Sequence, residues 1–546
     1  MIAASLVCGI LFALAFPRVS AVPAAWIAPA LWLALLPRAG AGRGFRSGYL
    51  FGLGFFGLLL NWVHSVLTHY TSLPLFLTVP IWLLLIGYLA LYPAAFGALV
   101  AGLGTSVGRG ALVLAPVLWV GLEFARGRLF GGFPWGIAGY ARAGGLPLLQ
   151  AASVGGVALV SFILTCGWAA LAILMEAAMP GFIRGIAGRR RDRWWDDGRE
   201  TRPGASLIVA ACVVLALIAL VGTLGALHLR ARPSAGSSGI LDEAADLPLN
   251  AQPPGFRIAL VQGGYGGDLD YEEGKKALGT YLSLSRRAAS RRPELIVWPE
   301  SNAPFQPLES PGYLDVLRGL SRETGALLLL GGVGGTEARG LTNSAYLVGP
   351  DGVIRSYDKR KLVPFGEFVP LQRVLPFIRH FVPETGEFIP GRDVGVMDAG
   401  GRRIGVSICY EMIFSEEILR QARAGARMLV NLTNDSWYSR GGPWQHADFA
   451  VLRSIETGLY TVRAASTGRT LVIDPCGREM AAGPLGGASI LWAGLPVPEA
   501  RSATVFVERG EWAAKGCAIL TALAVAFLVV GNIIDRRRPR GDSGPR

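Results

Sequence analysis

Eight long apolar segments dominate this sequence and restrict it to folds that include a membrane. They lie near residues 2–16, 22–37, 47–67, 75–103, 110–125, 146–179, 205–228 and 514–534. A helix needs about 20 apolar residues to cross a bilayer, so we expect eight spans, of which the first two are short. Hydrophobic residues make up 51% of the 546 residues and charged residues only 17%. This balance excludes a disordered chain and a simple cytosolic enzyme.

The arginines indicate how these segments are oriented. They concentrate after the second, fourth and sixth segments and in the C-terminal tail, for example at 189–191 and 536–538. Positive loops face the cytoplasm, so we predict a cytoplasmic N-terminus and an extracytoplasmic position for residues 229–513. The net charge of +13 then reflects membrane topology, and no nucleic-acid partner is expected. No lysine or arginine precedes the first apolar run, which favours a retained helix over a cleaved signal peptide.

Glu123 and Arg126 lie three residues apart near the end of the fifth segment, on one face of the predicted helix. They are either a helix-end pair that reaches toward the interface or a polar contact that supports a substrate cavity. The sequence leaves both interpretations open.

Residues 229–513 have the composition of a soluble α/β domain. Short β-rich runs alternate with helical patterns, which include 270–291 and 444–465, and a last strand is predicted at 504–510. We therefore divide the chain into three parts: seven membrane helices in 1–228, an extracytoplasmic domain in 229–513, and an eighth membrane helix with a basic tail in 514–546.

Three polar residues stand at or just past predicted strand ends, where open α/β sheets place their chemistry: Glu300, Lys359 and Cys409. Singly, each has an ordinary interpretation as a solvated carboxylate, a surface lysine or a buried, inert cysteine. Together they supply a base, an electrophile for an oxyanion and a nucleophile, which suffice for acyl transfer through a thioester. A helix is predicted to begin just downstream, with Ser415 as its cap. It places Cys409 at a sharp turn, where nearby amides and a lysine would favour the thiolate.

The remaining cysteines and the nearest histidine are assigned no chemistry. The six cysteines form no CxxC pair, so neither a zinc site nor a disulfide framework is expected. Cys476 lies in a DPCG turn and is interpreted as structural or incidental. His446 is also interpreted as structural, because acyl transfer by the three residues above needs no histidine.

The motifs WPES (298–301), YDKRKLVPFGEF (357–368) and ICYE (408–411) occur in an order that resembles the Glu-Lys-Cys triad of the nitrilase superfamily. With the apolar segments, the whole chain is similar to the bacterial apolipoprotein N-acyltransferase family. The resemblance implies a protein of the bacterial inner membrane. It would have eight transmembrane helices and an extracytoplasmic nitrilase-like domain, an αββα sandwich. It also implies a monomer that needs no cofactor and no metal.

The resemblance also implies roles for individual residues. Glu300 would be the general base, Lys359 would stabilise the tetrahedral intermediate and Cys409 would be the nucleophile. The supporting residues would be Glu367, Tyr410, Glu411 and, in the NDSWY segment, Trp437 beside the acyl chain. Ser466 departs from the family pattern, in which many relatives carry asparagine, and this places one structural hydrogen bond in doubt.

The implied reaction transfers an acyl chain from the sn-1 position of a phospholipid, typically phosphatidylethanolamine, to an apolipoprotein. The acceptor would be the N-terminal amine of its diacylglyceryl-cysteine. The apolar run 365–381, which includes Phe377 and Phe381, is either a core helix flanked by a loop or an amphipathic arm that gates lipid entry. Two rival functions stay open: a membrane-tethered amidase acting on a small molecule, and a non-catalytic lipid-binding or scaffold protein.

Overall fold

The structure, a computed structural model, combines a helical bundle with a two-sheet domain. It describes residues 1–37, 39–69, 74–187, 203–232, 240–242, 255–266, 270–300, 306–336, 338, 340–369, 388–438, 441–497 and 503–537. The helices before the sheets are α1 (Ile2–Ala13), α2 (Val22–Ala34), α3 (Ala41–Leu59), α4 (Asn61–His69), α5 (Leu75–Val107), α6 (Ala111–Arg126), α7 (Gly145–Leu149), α8 (Ala152–Ala178), α9 (Pro180–Ala187) and α10 (Ala205–Ala231).

The remaining elements form the α/β domain and the last membrane helix. The helices are α11 (Tyr271–Ala288), α12 (Pro311–Thr324), α13 (Ser415–Arg423), α14 (Gly442–Thr457), α15 (Val505–Arg509) and α16 (Trp512–Arg537). The strands are β1 (Ile240–Asp242), β2 (Phe256–Gln262), β3 (Leu295–Val297), β4 (Leu327–Thr336), β5 (Gly340–Gly349), β6 (Gly352–Asp358), β7 (Val396–Asp398), β8 (Arg403–Ile408), β9 (Met428–Thr433), β10 (Tyr460–Ala465), β11 (Leu471–Ile473), β12 (Glu479–Ala482) and β13 (Ser489–Leu495).

Six of the eight predicted apolar segments each coincide with one helix, whereas 47–67 falls on α3 and α4, and 146–179 on α7 and α8. Not every one of these helices is long enough to cross a membrane. By length and composition, four described stretches could do so, or five if the bent pair α3–α4 is one span. The longest stretch, Leu75–Arg126, contains α5 and α6, and the ring contact of Phe96 with Trp119 at 5.1 Å shows that the two helices fold back on each other. Helices α1 and α2 are apolar but shorter.

Close packing of small residues joins α3 to α5. A Cβ atom added to Gly44 would lie 2.2 Å from the carbonyl oxygen of Gly97, and one on Gly48 would lie 2.0 Å from that of Pro93. Because lipid gives apolar helices little reason to associate, such direct backbone contact is a principal source of helix pairing in membranes. The glycine-rich sequence of α3 is therefore explained by packing.

The α/β domain is built from two stacked sheets. The strand orders are β1-β13-β2-β3-β4-β5-β6 and β12-β11-β10-β9-β8-β7. Apolar residues of both sheets meet in one core, where Leu260, Val297 and Leu329 of the first sheet pack with Val406 and Val430 of the second. Helices α11 and α12 cover the outer face of the first sheet, and α14 covers the second. This arrangement confirms the predicted αββα architecture.

The helix α14 is shared between the α/β domain and the bundle. Its residues Phe449 and Ile455 lie in one apolar cluster with Leu429 of the second sheet and with Phe55 and Trp168 of the membrane helices. Polar contacts of α14 cross the same boundary and include the Arg142–Asp448 ion pair, the bond from Trp135 Nε1 to Gln445 Oε1 (2.7 Å) and the bond from Val157 N to Glu456 Oε1 (2.8 Å). The two parts of the chain are therefore packed as one body at this helix.

Replacing Glu456 with alanine is expected to destabilise the protein by about 3–5 kcal/mol. Glu456 is 1% exposed, accepts from Val157 N and Ser415 Oγ, and lies 3.2 Å from the buried Arg453 guanidinium. The substitution would remove the carboxylate that balances this buried charge, although Arg453 would keep its bond to the Tyr140 hydroxyl. Thermal unfolding in detergent, followed by tryptophan fluorescence, measures the loss. The control is Glu416→Ala, which breaks a half-exposed pair with Arg420 and should cost about 1 kcal/mol or less. Equal melting of the two variants would contradict this expectation.

Three local predictions differ from the structure. The run 504–510 forms the short helix α15 instead of a strand, because Thr504 Oγ1 caps it by accepting from Val507 N at 3.1 Å. The helix expected over 444–465 ends at Thr457, where Gly458 takes a left-handed conformation and β10 begins. Ser415 does not cap α13, since Phe414 holds the cap position and the Ser415 hydroxyl donates to Glu456 instead.

Candidate active site

Glu300, Lys359 and Glu367 meet in one buried polar cluster. The Lys359 Nζ lies 3.2 Å from Glu300 Oε1 and 2.8 Å from Glu367 Oε1, and its side chain is 1% exposed. Asn343 Nδ2 donates to the same two carboxylates, at 2.7 Å and 2.6 Å. Glu367 also accepts from Val363 N at 2.8 Å. The structure thus brings together two of the three predicted triad residues and the predicted supporting glutamate.

Strand pairing places these side chains. Glu300 follows β3, and a Cβ on Gly331 of the neighbouring β4 would lie 2.8 Å from the Glu300 Cα, so glycine is needed for this close approach. Lys359 follows β6, and its backbone N–H donates to the carbonyl of Asn343 on β5 at 2.8 Å. The lysine and the asparagine are therefore held opposite each other across one strand pair.

Cys409 directly follows β8 of the second sheet and lies close enough to Glu300 and Lys359 to feel their charges. It begins the 3-10 turn Cys409–Ile413, is 6% exposed and has a φ of +48°, a left-handed conformation unusual for a residue with a side chain. The parallel neighbour β9 ends beside it, and the N–H of Asn434 just past β9 donates to Glu300 Oε2 at 3.0 Å. A hydrogen bond thus joins the two sheets at the predicted site.

Charges near Cys409 decide its resting protonation. Burial raises the pKa of the Cys409 thiol, the Glu300 carboxylate raises it further, and the Lys359 ammonium opposes both. Burial also works against the Lys359 ammonium, but Glu300 and Glu367 outweigh it and raise the pKa of Lys359. The lysine is therefore charged and the resting cysteine is a neutral thiol. The sequence predicted a preformed thiolate at Cys409, but the combined effect of burial and the neighbouring charges favours the thiol. Attack by the sulfur therefore requires a base.

Glu411 connects the nucleophile turn to the lysine segment. Its carboxylate accepts from Tyr357 Oη and Arg360 N, both at 2.7 Å, and from Ile408 N at 2.8 Å. Burial raises the pKa of Glu411 despite these donors. The residues that flank Lys359 and Cys409 are thus held by one carboxylate.

The other predicted residues lie around this centre. Tyr410 packs edge-on against Phe414 at 5.2 Å, within the apolar cluster shared with the membrane helices. Trp437 is half-buried in the turn Asp435–Trp437 after β9. Cys476 lies in a turn where its carbonyl accepts from Gln150 Nε2 at 2.9 Å. Most of the predicted arm 365–381, including Phe377 and Phe381, lies outside the described residues.

Glu123 and Arg126 brace a loop at the end of α6. Arg126 donates to the carbonyls of Trp135 and Gly136, and Glu123 Oε1 accepts from Ala138 N at 2.7 Å. Glu123 also lines a cleft between α6, α8 and the residues Ile413 to Glu416 that follow the nucleophile turn. The pair therefore makes specific loop contacts and is more than a helix end reaching for the interface.

Asn343 and Asn434, which hold Glu300, were not singled out from the sequence. Ser466, which departs from the family pattern, donates its Oγ–H to Asn434 Oδ1 at 2.6 Å. A signal for Asn343 existed, since a polar residue opens the otherwise apolar run NSAYLVGP. Its partners belong to other strands, and only the fold shows them.

Comparisons with known proteins cover nearly the whole chain. The family model for the apolipoprotein N-acyltransferase N-terminal domain matches residues 8–170, and that for carbon-nitrogen hydrolase matches residues 257–504. Apolipoprotein N-acyltransferase of Geobacter metallireducens is 35% identical over 94% of both chains. The apolipoprotein N-acyltransferase of Methylococcus capsulatus is 32% identical over 92% of both chains. That of Bradyrhizobium diazoefficiens is 32% identical over 97% of this chain and 95% of its own. Among solved structures, an amidase from Nesterenkonia sp. is 22% identical, covers 45% of this chain and 92% of its own, and has a TM-score of 0.32.

Proposed function

Because this chain belongs to the apolipoprotein N-acyltransferase family, we propose that it transfers an acyl chain from a membrane phospholipid to the N-terminal amine of apolipoproteins. The observation that carries its chemistry is the meeting of a carboxylate, an ammonium and a buried cysteine at the edges of two sheets. The membrane-tethered amidase is less well supported, since the relatives that match nearly the whole chain are acyltransferases by name. A non-catalytic scaffold would have no need for this buried, charged cluster.

The proposal includes a topology. Residues 1–228 supply seven membrane helices, 229–513 the periplasmic catalytic domain, and 514–546 the eighth helix with a cytoplasmic basic tail in the bacterial inner membrane. Every predicted span falls on one or two helices, and apolar residues flank the short α1 and α2. The arginine-rich loops are assigned to the cytoplasm by the positive-inside rule.

In the first step, Glu300 takes the proton from the Cys409 thiol and the sulfur attacks the sn-1 ester carbonyl of the phospholipid. The base is required because the resting thiol is neutral. The Lys359 ammonium stabilises the oxyanion of the tetrahedral intermediate. The carbon–oxygen bond breaks, Glu300 returns the proton to the leaving alkoxide, and a lysophospholipid departs from the acyl-cysteine.

In the second step, the free α-amine of the diacylglyceryl-cysteine attacks the thioester carbonyl. Glu300 accepts a proton from the amine, Lys359 again stabilises the oxyanion, and the carbon–sulfur bond breaks. The proton passes to the thiolate and restores Cys409. Glu367 and Glu411 act as positioning residues in both steps, because one binds Lys359 and the other ties the two segments together.

The packing of the site supports use of lipid substrates. Four residues that follow the nucleophile belong to the apolar cluster of the membrane helices: Tyr410, Met412, Ile413 and Phe414. A thioester in such surroundings is shielded from water, which would otherwise release it as free fatty acid. Both substrates are confined to the bilayer, so a site at its surface raises their effective concentration. We take phosphatidylethanolamine as donor and a monomer as the active unit, with no metal or cofactor in the reaction.

The proposal is tested by reconstituting the protein in phosphatidylethanolamine vesicles with a diacylglyceryl-cysteine lipopeptide. We expect the lipopeptide to gain one acyl chain on its amine and an equal amount of lysophospholipid to appear, both measured by mass spectrometry. Vesicles without the lipopeptide serve as the control and should stop after one equivalent of lysophospholipid per enzyme. Continuous release of free fatty acid, or hydrolysis of small amides with no lipopeptide product, would overturn the assignment.

A further inference from the structure

His446 of α14 is buried directly beneath the nucleophile turn. Its Nε2 lies 3.3 Å from the main-chain carbonyl oxygen of Cys409, and its side chain is fully buried. Its Nδ1 lies 2.9 Å from Asp435 Oδ1 and 3.0 Å from Arg463 Nη2. The histidine therefore has a polar partner on each ring nitrogen, and one of them belongs to the nucleophile residue.

These partners determine which nitrogen carries the proton. A carbonyl oxygen only accepts hydrogen bonds, so the contact with Cys409 requires a proton on Nε2. Burial lowers the pKa of His446 and favours the neutral ring, whose Nδ1 can then accept from Arg463. The Asp435 carboxylate does not depend on the histidine for charge balance, because Arg463 donates to both of its oxygens at 2.8 Å and 2.9 Å. The Nε2–H donor to Cys409 is present both in the neutral Nε2–H form, whose unprotonated Nδ1 faces Asp435 Oδ1, and in the protonated ring, whose Nδ1 donates to Asp435 Oδ1 at 2.9 Å.

The Cys409 backbone has a particular need for such a donor. A φ of +48° is a strained conformation for a residue with a side chain and persists only where neighbouring contacts enforce it. Two described side chains donate to the Cys409 carbonyl, His446 at 3.3 Å and, more distantly, Asn431 Nδ2 at 3.5 Å. A donor that holds this carbonyl fixes the backbone at Cys409 and with it the direction of the Cα–Cβ bond that carries the sulfur.

Rings from both parts of the protein hold the imidazole in place. Trp135, from the loop braced by Arg126, stacks on it with a centroid distance of 6.0 Å and an interplanar angle of 26°. Tyr438 contacts it at 5.1 Å and Phe449 at 6.4 Å. Movement of the ring away from Cys409 is thus blocked from the membrane side.

We propose that His446 is a positioning residue for the nucleophile: its Nε2–H donates to the Cys409 carbonyl and holds the left-handed turn from which the sulfur reaches the substrate carbonyl. This role rests on the proposed acyl transfer. It assigns no proton transfer to the histidine. Cys409 acts in both steps, so loss of the donor affects formation and breakdown of the thioester alike.

The test compares variants that keep or remove the donor. His446→Gln retains an N–H that can reach the carbonyl, whereas His446→Leu and His446→Phe do not, and phenylalanine preserves the ring packing. In the vesicle assay, we expect kcat of the leucine and phenylalanine variants to fall by about 100-fold with little change in KM. The glutamine variant should stay within about fivefold of the wild type. The shape of the pH profile should be the same in all variants, because the histidine moves no proton.

Several results would overturn the positioning role. If the His446→Phe variant kept the kcat of the wild type, the donor would be dispensable. If kcat fell as far in His446→Gln as in His446→Phe, the shape of the imidazole would matter and its N–H would not. If both variants without the donor unfold while the glutamine variant folds, the bond serves stability. Absence of acyl transfer in the wild-type protein would instead defeat the proposed function. Melting temperatures in detergent separate these cases.

Discussion

Replacing Cys409 with alanine is expected to abolish acyl transfer, with a loss of at least about 1000-fold in kcat. Without the sulfur no thioester forms, and direct attack of the amine on the ester would need both lipids aligned at once. Intact-protein mass spectrometry after incubation with phospholipid should show one acyl adduct on the wild-type protein. Hydroxylamine, which cleaves thioesters, should remove this adduct, and the alanine variant should show none.

Cys476→Ala is the matched control for this experiment. Cys476 is the other buried cysteine in the described part of the α/β domain, and its backbone carbonyl, which the substitution retains, accepts from Gln150 Nε2 of the bundle. Its activity should stay within about twofold of the wild type. An acyl adduct that persists in the Cys409→Ala protein, or disappears in the Cys476→Ala protein, would place the nucleophile elsewhere.

Replacing Glu300 with glutamine is expected to lower kcat by about 100-fold to 10,000-fold, within the range that general base catalysis contributes. The substitution keeps the size of the side chain but removes the group that accepts the thiol proton. Lys359 should stay charged and in place, because Glu367 still binds it at 2.8 Å. Single-turnover rates of acyl-enzyme formation in vesicles measure the effect on the first step directly.

The Glu300→Gln variant should also make the Cys409 thiol easier to deprotonate, although it slows turnover. The Glu300 carboxylate raises the pKa of Cys409, so glutamine lowers that pKa and leaves Lys359 free to favour the thiolate. Alkylation by iodoacetamide should therefore begin at lower pH in Glu300→Gln than in the wild type, although turnover has fallen. The exposed Glu309→Gln, in the segment that follows β3, should alter neither measurement. Turnover that rises together with alkylation would show that Glu300 is not the base.

The candidate site was proposed from the sequence because open α/β sheets place their chemistry at the carboxyl ends of parallel strands. Glu300 and Cys409 each follow an apolar run, and the fold places both ends at one edge between the sheets. The partners of Glu300 were harder to predict, because Asn343 and Asn434 reach it only through the pairing of strands that are distant in the sequence. The neutral thiol was also missed, since the net effect of burial, carboxylate and ammonium is a property of their three-dimensional arrangement.

Local patterns failed where tertiary contacts override propensity. The run 504–510 is rich in residues that favour strands, but the Thr504 cap and burial of Phe506 against the bundle make it helical. His446 was assigned no contact with the nucleophile, because nothing in a helical pattern shows which strand end lies above it. The positions of the membrane spans were easier to predict than their number. The length of an apolar segment does not show whether it forms one bent span, such as the pair α3–α4, or two short helices.

The shared helix α14 has a practical consequence for isolating the enzyme. Its outer side is covered by bundle residues, so cutting the chain at 229 and 513 would expose an apolar surface and remove Arg142 from Asp448 and Val157 N from Glu456. A fragment made only of the two sheets and their helices would therefore aggregate in aqueous buffer. Inhibitor screening and crystallisation both need detergent or lipid from the first purification step.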